Sequence, residues 1–114
     1  MKGRQIMGLK KITAIIRLDR ADRVEERLKA AGIPGMSCTH VKGYGEYADF
    51  YSSDWQVIHA RVEIFVDETK AREIIDIILE EAHTGVAGDG IVAVLPVEHL
   101  YHIRTGHDAA LGKC

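Results

Sequence analysis

The feature that most constrains the fold is a run of strict alternation near the middle of the chain. Over residues 57–66, one set of side chains is uniformly apolar, and it is made of Ile58, Ala60, Val62, Ile64 and Val66. The other set is mixed and is made of Val57, His59, Arg61, Glu63 and Phe65. This period of two indicates a strand with one buried face. Asp67 follows as a helix N-cap, and the apolar stripe of a helix comes next: Ala71, Ile74, Ile75, Ile78, Leu79 and Ala82.

The first half of the chain repeats this order of elements. A β-branched run at residues 11–18 predicts a strand, and Asp19 is expected to cap a helix that runs through Ala31 and ends at Gly32. Residues 36–42 and 91–95 predict two further strands. Strand, helix and strand therefore occur twice. The pattern predicts an α+β, ferredoxin-like βαββαβ fold, with two helices on one face of a four-stranded antiparallel sheet.

The last predicted strand has apolar residues in both alternating sets: Ile91, Ala93 and Leu95 in one, Val92 and Val94 in the other. Both sheet faces at this strand therefore need a cover. A chain of 114 residues is one domain and has no spare element to supply the second cover. We therefore expect a homo-oligomer in which the sheets face inward.

Charge and hydropathy exclude several classes of partner. Fifteen basic against seventeen acidic residues leave a net charge of −2, with no basic stripe for nucleic acid. No apolar run approaches the ~20 residues of a membrane span, and the start MKGRQIMG lacks a signal-peptide core. We expect a cytoplasmic protein without direct membrane insertion. Met7 marks an alternative start, so residues 1–7 are interpreted as an extension and residues 8–114 as the single domain.

The cysteines and histidines do not form a framework or a metal site in the sequence. Cys38 is expected in the core, and a redox role for the terminal Cys114 stays open. Spacings of three and five do not bring His99, His102 and His107 onto one face, so no metal or cofactor is expected. No catalytic pair stands at usable spacing, and the chain contains no Asn to position water as in acylphosphatases. The chain is therefore not expected to be an enzyme, although a small enzyme and a purely structural oligomer remain rivals.

A glycine-spaced turn is the main candidate binding feature. Gly85, Gly88 and Gly90 allow a tight backbone turn whose N–H groups can converge on phosphate oxygens. Arg104, in a second turn, can close over the same charge as a planar cation. Most turns with this spacing bind nothing, so the spacing alone does not establish a binding site, and both interpretations stay open.

Four segments together resemble the PII signal-transduction (nitrogen regulatory) proteins. GMSCTHVKGYG at 35–45 is similar to GMTVTEVKGFG of that family, and RVEIFV at 61–66 is similar to KIEIVV. TGVAGDG at 84–90 is similar to TGKIGDG, and IRTG at 103–106 is similar to IRTGE. The resemblance covers nearly all of the chain after residue 7. It implies a homotrimer with adenine-nucleotide clefts between neighbouring subunits, and a T-loop, here about 43–57, that docks on a target protein.

The resemblance also implies the site residues. The B-loop (84–91) would cradle phosphate, and the C-loop (102–107) would supply the cation. One wall of the cleft would be formed by Ser37, Gly43, Gly45, Glu63 and Phe65. The B-loop residues are Thr84, Gly85, Val86, Gly88, Asp89 and Gly90, and the C-loop residues are His102 and Arg104.

Two departures from the family pattern concern phosphate binding. Ile91 stands where the family has a B-loop Lys, and His102 stands where it has the first of two C-loop arginines. A charge-assisted hydrogen bond contributes about 1.5–3 kcal/mol, so the outermost phosphate should lose most. We therefore expect ADP or AMP to bind better than ATP. A histidine such as His102 loses its positive charge as the pH rises through neutrality. Nucleotide affinity should therefore also fall as the pH rises from about 6 to 8.

The T-loop differs most from the family. The RQKGHTE segment is missing, and His59 stands where a Lys is expected just before the third strand, so 2-oxoglutarate recognition is doubtful and bicarbonate is an alternative ligand. The loop is acidic and carries five aromatics: Tyr44, Tyr47, Phe50, Tyr51 and Trp55. Such side chains are typical interface anchors for a target such as a transporter or metabolic enzyme, although packing on the base of the loop stays equally open. We do not expect Tyr51 to be modified.

Overall fold

The structure of the protein is a computed structural model that describes residues 8–41 and 58–109. The strands are β1 (Leu9–Arg17), β2 (Ser37–Val41), β3 (His59–Asp67) and β4 (Gly90–Val97). The helices are α1 (Ala21–Ala30) and α2 (Glu68–Ala82), and a short 3-10 helix (Leu18–Arg20) joins β1 to α1. The 1–7 extension, the T-loop with its aromatic residues, Gly43 and Gly45, and Cys114 lie outside the described residues.

The four strands form one antiparallel sheet in the order β2-β3-β1-β4. The two central strands pair over nine positions, from Leu9 with Asp67 to Arg17 with His59. At the other side of β1, Ile16 pairs with Gly90 and Leu9 with Val97. This order, with two helices in the connections, confirms the predicted ferredoxin-like fold.

The core lies between the sheet and the two helices. Every second side chain of β1 and β3 enters it: Ile12, Ala14, Ile16, Ala60, Val62, Ile64 and Val66. The helices contribute Val24, Leu28, Ala71, Ile74, Ile77, Ile78 and Ala82. The predicted stripe of α2 was wrong at one position, because Leu79 is 51% exposed and Ile77 is buried instead. Residues 77 and 79 both fit the period of a helix. Which of the two is buried depends on which side of α2 packs against the sheet.

The two helices begin in different ways. The Asp67 side chain accepts a hydrogen bond from the Thr69 N–H at 2.9 Å, which confirms the predicted N-cap of α2. The predicted cap of α1 was wrong. Asp19 lies inside the 3-10 helix, and the N-cap residue Arg20 makes no side-chain capping bond. The tighter 3-10 turn moves the N-cap of α1 from the predicted Asp19 to Arg20, so the helix begins one residue later than the sequence suggested.

The second face of the sheet has no helix over it among the described residues. Phe65 is 53% exposed there, and Leu95 is 43% exposed. The face is not purely apolar, since Lys11 Nζ lies 3.1 Å from Glu63 Oε2 and 5.9 Å from the centre of the Phe65 ring. Val94, on the helical side of β4, is also 43% exposed, so β4 has accessible apolar side chains on both faces, as predicted.

Cys38 corrects another expectation. It is exposed rather than buried, because β2 is an edge strand and most of its side chains reach solvent. Partial burial raises the pKa of its thiol, and the charges of Glu25 and Asp22 raise it further. A thiol with a raised pKa is a poorer nucleophile at neutral pH.

Within the described residues, no helix has the length and apolar character needed to cross a bilayer.

Candidate functional site

The B-loop joins the C-terminal end of α2 to the start of β4. Three of its glycines have positive φ, 90° at Gly85, 98° at Gly88 and 108° at Gly90. Residues with side chains rarely adopt this conformation, so the glycines are required for the path of the loop. At Gly90 there is a second reason: an added Cβ would lie 1.7 Å from the carbonyl oxygen of Ile15. The end of the loop, where β4 begins, therefore packs directly against the backbone of β1.

The carboxylate of Asp89 organises the loop from inside. Its Oδ2 accepts from the N–H of Thr84 at 2.8 Å and from the N–H of Gly85 at 2.9 Å. Its Oδ1 accepts from the Thr84 hydroxyl at 2.5 Å and from Arg17 Nε at 2.9 Å. The Thr84 hydroxyl in turn accepts from the N–H of Val86 at 3.1 Å. Asp89, near the end of the turn, therefore holds the residues at its start in place.

These contacts also set the charge state of Asp89. Partial burial by itself would raise the pKa of the carboxyl. The hydrogen bonds from Thr84, Arg17 and Gly85 outweigh it and hold the pKa well below its usual range. The group is therefore a carboxylate throughout the neutral range, and its negative charge is matched by Arg17.

Two side chains hold the carbonyl groups of the loop. Arg17 donates from Nη2 to the carbonyl oxygen of Ala87 at 2.7 Å, with a longer contact of 3.4 Å to that of Val86. His59 Nε2 lies 3.1 Å from the carbonyl oxygen of Gly88. Since a carbonyl oxygen only accepts, the Nε2–H of His59 donates. Arg17 and His59 thus fasten three consecutive carbonyls to the sheet.

The C-loop forms a separate turn after β4. The N–H of Gly106 donates to the His102 carbonyl at 2.7 Å, and the N–H of His102 donates to the His107 carbonyl at 2.9 Å. An open cavity of about 510 Å³ is lined by His102, Ile103, Arg104, Thr105 and His107. Ile103 is 99% exposed and Arg104 is exposed. The cavity is wide, accessible and basic, which suits an anionic group.

The base of the C-loop is closed by Asp108. Its Oδ2 lies 2.5 Å from Nδ1 of His99, and its Oδ1 accepts from the N–H of Leu100 at 3.1 Å. The bond that the described residues show between His102 and His107 is the backbone bond given above. Over residues 8–41 and 58–109, no group of three His, Cys, Asp or Glu side chains is placed to hold a metal ion.

The structure divides the predicted site residues among three places. All six B-loop residues lie in one turn, and His102 and Arg104 lie in the other. Ser37, Glu63 and Phe65 lie on the open face, where Ser37 pairs with Glu63 across β2 and β3. β4 is eight residues long, about 25 Å, and its two ends lead to the two turns. No hydrogen bond or ion pair between described residues joins the B-loop to the C-loop.

The sequence reasoning missed Arg17 and did not foresee the burial of His59. His59 is 2% exposed although it belongs to the mixed set of β3, and its Nε2 contacts the Gly88 carbonyl of the B-loop. It is also the first residue of β3 rather than one that precedes the strand. Side chains alternate between the two faces along a strand, which places Arg17 and His59 both on the open face. The two residues are direct pairing partners, so they lie side by side. Since β1 also contains Lys10 and Lys11, the charge of Arg17 did not distinguish it in the sequence.

The family model for nitrogen regulatory protein P-II matches residues 9–107, a span that includes both turns and every described strand and helix. The chain belongs to this family. Among PII relatives, the nitrogen regulatory protein P-II of Azospirillum brasilense is 35% identical over 105 residues, which cover 86% of the chain and 94% of the relative. The P-II protein of Nostoc punctiforme is 37% identical, with the same coverage.

A solved structure supports the same assignment. The crystal structure of Arabidopsis thaliana PII bound to citrate matches with a TM-score of 0.75 at 32% identity, covering 91% of the chain and 87% of that structure. The sequence resemblance is thereby confirmed at the level of family and fold. The chain is a PII-type signal-transduction regulator.

Proposed function

We propose that the chain binds adenine nucleotides in clefts between the subunits of a homotrimer and, through its T-loop, regulates a transporter or metabolic enzyme of nitrogen metabolism. ADP and AMP are favoured over ATP. The observation that carries the proposal is the position of the two turns. The B-loop leads into one end of β4, and the C-loop comes after the other end. A phosphate that contacts both turns therefore needs the B-loop of one subunit and the C-loop of its neighbour.

The open sheet face supports association of subunits. It holds partly exposed apolar side chains on β3 and β4, next to the Lys11–Glu63 ion pair. A face of this kind is typical of a surface that another copy covers. When copies pack with these faces inward, each subunit is oriented alike around the axis, so every junction between copies has the same composition.

The preference for ADP and AMP follows from the charges at the two turns. Ile91, the residue after the B-loop glycines, is 37% exposed and supplies no charge. Of the C-loop cavity residues, only Arg104 has a permanent positive charge. A third phosphate therefore adds negative charge without an added cation to match it.

A subunit-mixing experiment tests the intersubunit cleft. Val86→Glu places a negative charge in the B-loop at an exposed position, and Arg104→Ala removes the C-loop cation. Each variant alone should bind ADP at least tenfold more weakly by calorimetry. Trimers refolded from an equal mixture should regain wild-type affinity in about a quarter of the clefts, because each mixed ring has one junction between intact turns. Mixed samples with no recovered sites would contradict a cleft shared between subunits.

The candidates for a second small-molecule ligand, besides the nucleotide, are 2-oxoglutarate and bicarbonate. We propose weak recognition of 2-oxoglutarate, because His59 is buried and its Nε2 is engaged by the Gly88 carbonyl. Bicarbonate is the alternative. Thermal shifts with AMP, ADP and ATP, each with and without either anion, would distinguish them, since a ligand selective for the folded state raises the melting temperature. If no adenine nucleotide shifts the melting temperature, a purely structural oligomer becomes the better hypothesis.

A further inference from the structure

We propose that Arg17 and His59 are positioning residues that hold the B-loop in its binding conformation from the open face of the sheet before any ligand arrives. The inference extends the proposed function, because it names residues that act on the site without touching the nucleotide. It rests on the contacts of these two side chains with the loop.

Arg17 reaches the loop through two different atoms. Its Nε donates to Asp89 Oδ1 at 2.9 Å, and its Nη2 donates to the Ala87 carbonyl at 2.7 Å. A planar guanidinium makes the two bonds from two nitrogens at a fixed separation, whereas an ammonium group has a single nitrogen. The side chains of Arg17 and Asp89 are each 23% exposed, so the ion pair is partly shielded from water and its hydrogen bonds contribute to stability.

His59 holds the adjoining peptide. The residue is 2% exposed, and its Nε2 lies 3.1 Å from the Gly88 carbonyl oxygen. His59 is the direct pairing partner of Arg17 between β3 and β1, and both side chains leave the sheet on the same face. The two central strands of the sheet therefore each supply one side chain to neighbouring carbonyls of the loop.

The direction of these bonds decides what the loop shows to solvent. In a trans peptide, the C=O of one residue and the N–H of the next point in opposite directions. With the Ala87 carbonyl held by Arg17, the N–H of Gly88 points away from Arg17 and from the sheet. Without the two donors, the same carbonyls would be free to rotate toward the ligand side, where they would repel phosphate oxygens.

The loop is also fixed where it enters β4. Gly90 pairs with Ile16 and fits closely against the Ile15 carbonyl. The start of β4 is thus held by main-chain packing and the preceding residues by Arg17 and His59. This arrangement leaves the loop preorganised, which lowers the entropy lost when a ligand binds.

Amide exchange and ADP affinity together test the proposal. The variants are His59→Leu, which removes the donor, and His59→Gln, which keeps an N–H near the position of Nε2. Arg17→Met removes the guanidinium, and Arg61→Met is the matched control. Arg61 lies on the same face of the sheet, and 44% of its side chain is exposed. Within the part of the chain that the structure describes, it forms no hydrogen bond or ion pair with the B-loop.

The first measurement uses no nucleotide. Exchange of the Thr84 and Gly85 amides, which donate to Asp89, reports whether the loop is closed. We expect it to rise at least tenfold in His59→Leu and Arg17→Met, to stay near wild type in His59→Gln, and to be unchanged in Arg61→Met. Core amides of β1 and β3 in the same samples separate loop opening from global loss of stability. Unchanged loop exchange in His59→Leu would overturn the inference.

The second measurement is the dissociation constant for ADP. We expect it to rise threefold to tenfold in His59→Leu and Arg17→Met and to be restored in His59→Gln, a rescue that a general loss of stability would not show. If loop exchange rises while ADP affinity does not change, the positioning role is wrong. If the wild-type protein itself does not bind ADP, the proposed function fails, while the exchange data still decide whether the two residues order the loop.

Discussion

Arg17 Nε donates to Asp89 Oδ1 at 2.9 Å and so joins the end of β1 to the B-loop, 72 residues later in the chain. The bond connects a central strand of the sheet with the loop that precedes an outer strand. Asp89 at the same time accepts from both Thr84 and Gly85, so the ion pair couples loop closure to the position of β1. Asp89 therefore supports the site through the conformation of the loop.

Replacing Asp89 with Asn should destabilise the fold. The variant loses a charge that four donors share, and a hydrogen bond to a charged group contributes about 1.5–3 kcal/mol. We expect the free energy of unfolding in urea to fall by about 2 kcal/mol. Asp76→Asn is the control, because Asp76 forms an exposed pair with Arg72 at 3.0 Å, and its loss should cost under about 0.5 kcal/mol. Equal effects of the two variants would contradict the role assigned to Asp89.

The same carboxylate predicts a pH dependence of stability. Its pKa is lower in the folded protein than in the unfolded chain, so the unfolded state binds the proton more readily. The contribution of Asp89 is therefore complete above about pH 4, the ordinary value for Asp, and declines as the pH falls below it. Urea unfolding from pH 6 to pH 3 should show a shallower decline for Asp89→Asn than for the wild type. Parallel curves would show that Asp89 has no such linkage.

Gly90 should tolerate no side chain. An added Cβ would overlap the Ile15 carbonyl oxygen, and φ is 108° at this position. We expect Gly90→Ala to lose more than about 3 kcal/mol of stability, or to fail to fold, because both backbones would have to move. Gly35→Ala is the control, since it has open space and no positive φ. Thermal unfolding measures both, and a mild effect at Gly90 would contradict the packing described.

Restoring the missing cations should change nucleotide preference. His102→Arg together with Ile91→Lys adds charge at the two turns, and we expect ATP affinity to rise relative to ADP by about tenfold or more. Calorimetry with both nucleotides gives the ratio, and His102→Gln is the companion variant. It should lose the decline in affinity expected in the wild type between about pH 6 and 8. An unchanged ratio in the double variant would place the preference for ADP elsewhere.

The sequence predicted the fold well because its signals are local. The alternation in β3, the Asp67 cap and the apolar stripe of α2 all arise within a few residues of one another. Asp19 misled for the same reason, since nothing local distinguishes a 3-10 helix from the first turn of an α-helix. The choice between Ile77 and Leu79 depends on where the helix meets the sheet, which no single segment records.

The site was less predictable because its contacts span the chain. The glycine positions of the B-loop were evident, yet the partners of its carbonyls, Arg17 and His59, lie 70 and 29 residues away in sequence. Charge alone gave Arg17 no special status among fifteen basic residues. His59 is buried and contacts the B-loop at Gly88, which is far away in the sequence, so the alternation of β3 could not reveal this contact.

The close fit of Gly90 against β1 also governs how β4 is aligned in the sheet. A slip of one residue would bring Asp89 or Ile91 opposite Ile16, and either would place a Cβ where the Ile15 carbonyl leaves no space. Such a slip would also exchange the two faces of the strand. Because only glycine fits opposite Ile16, Gly90 selects a single register for the pairing of β4 with β1 during folding. Natural insertions in this region should consequently fall upstream of Gly90, where loop length can vary without disturbing the strand.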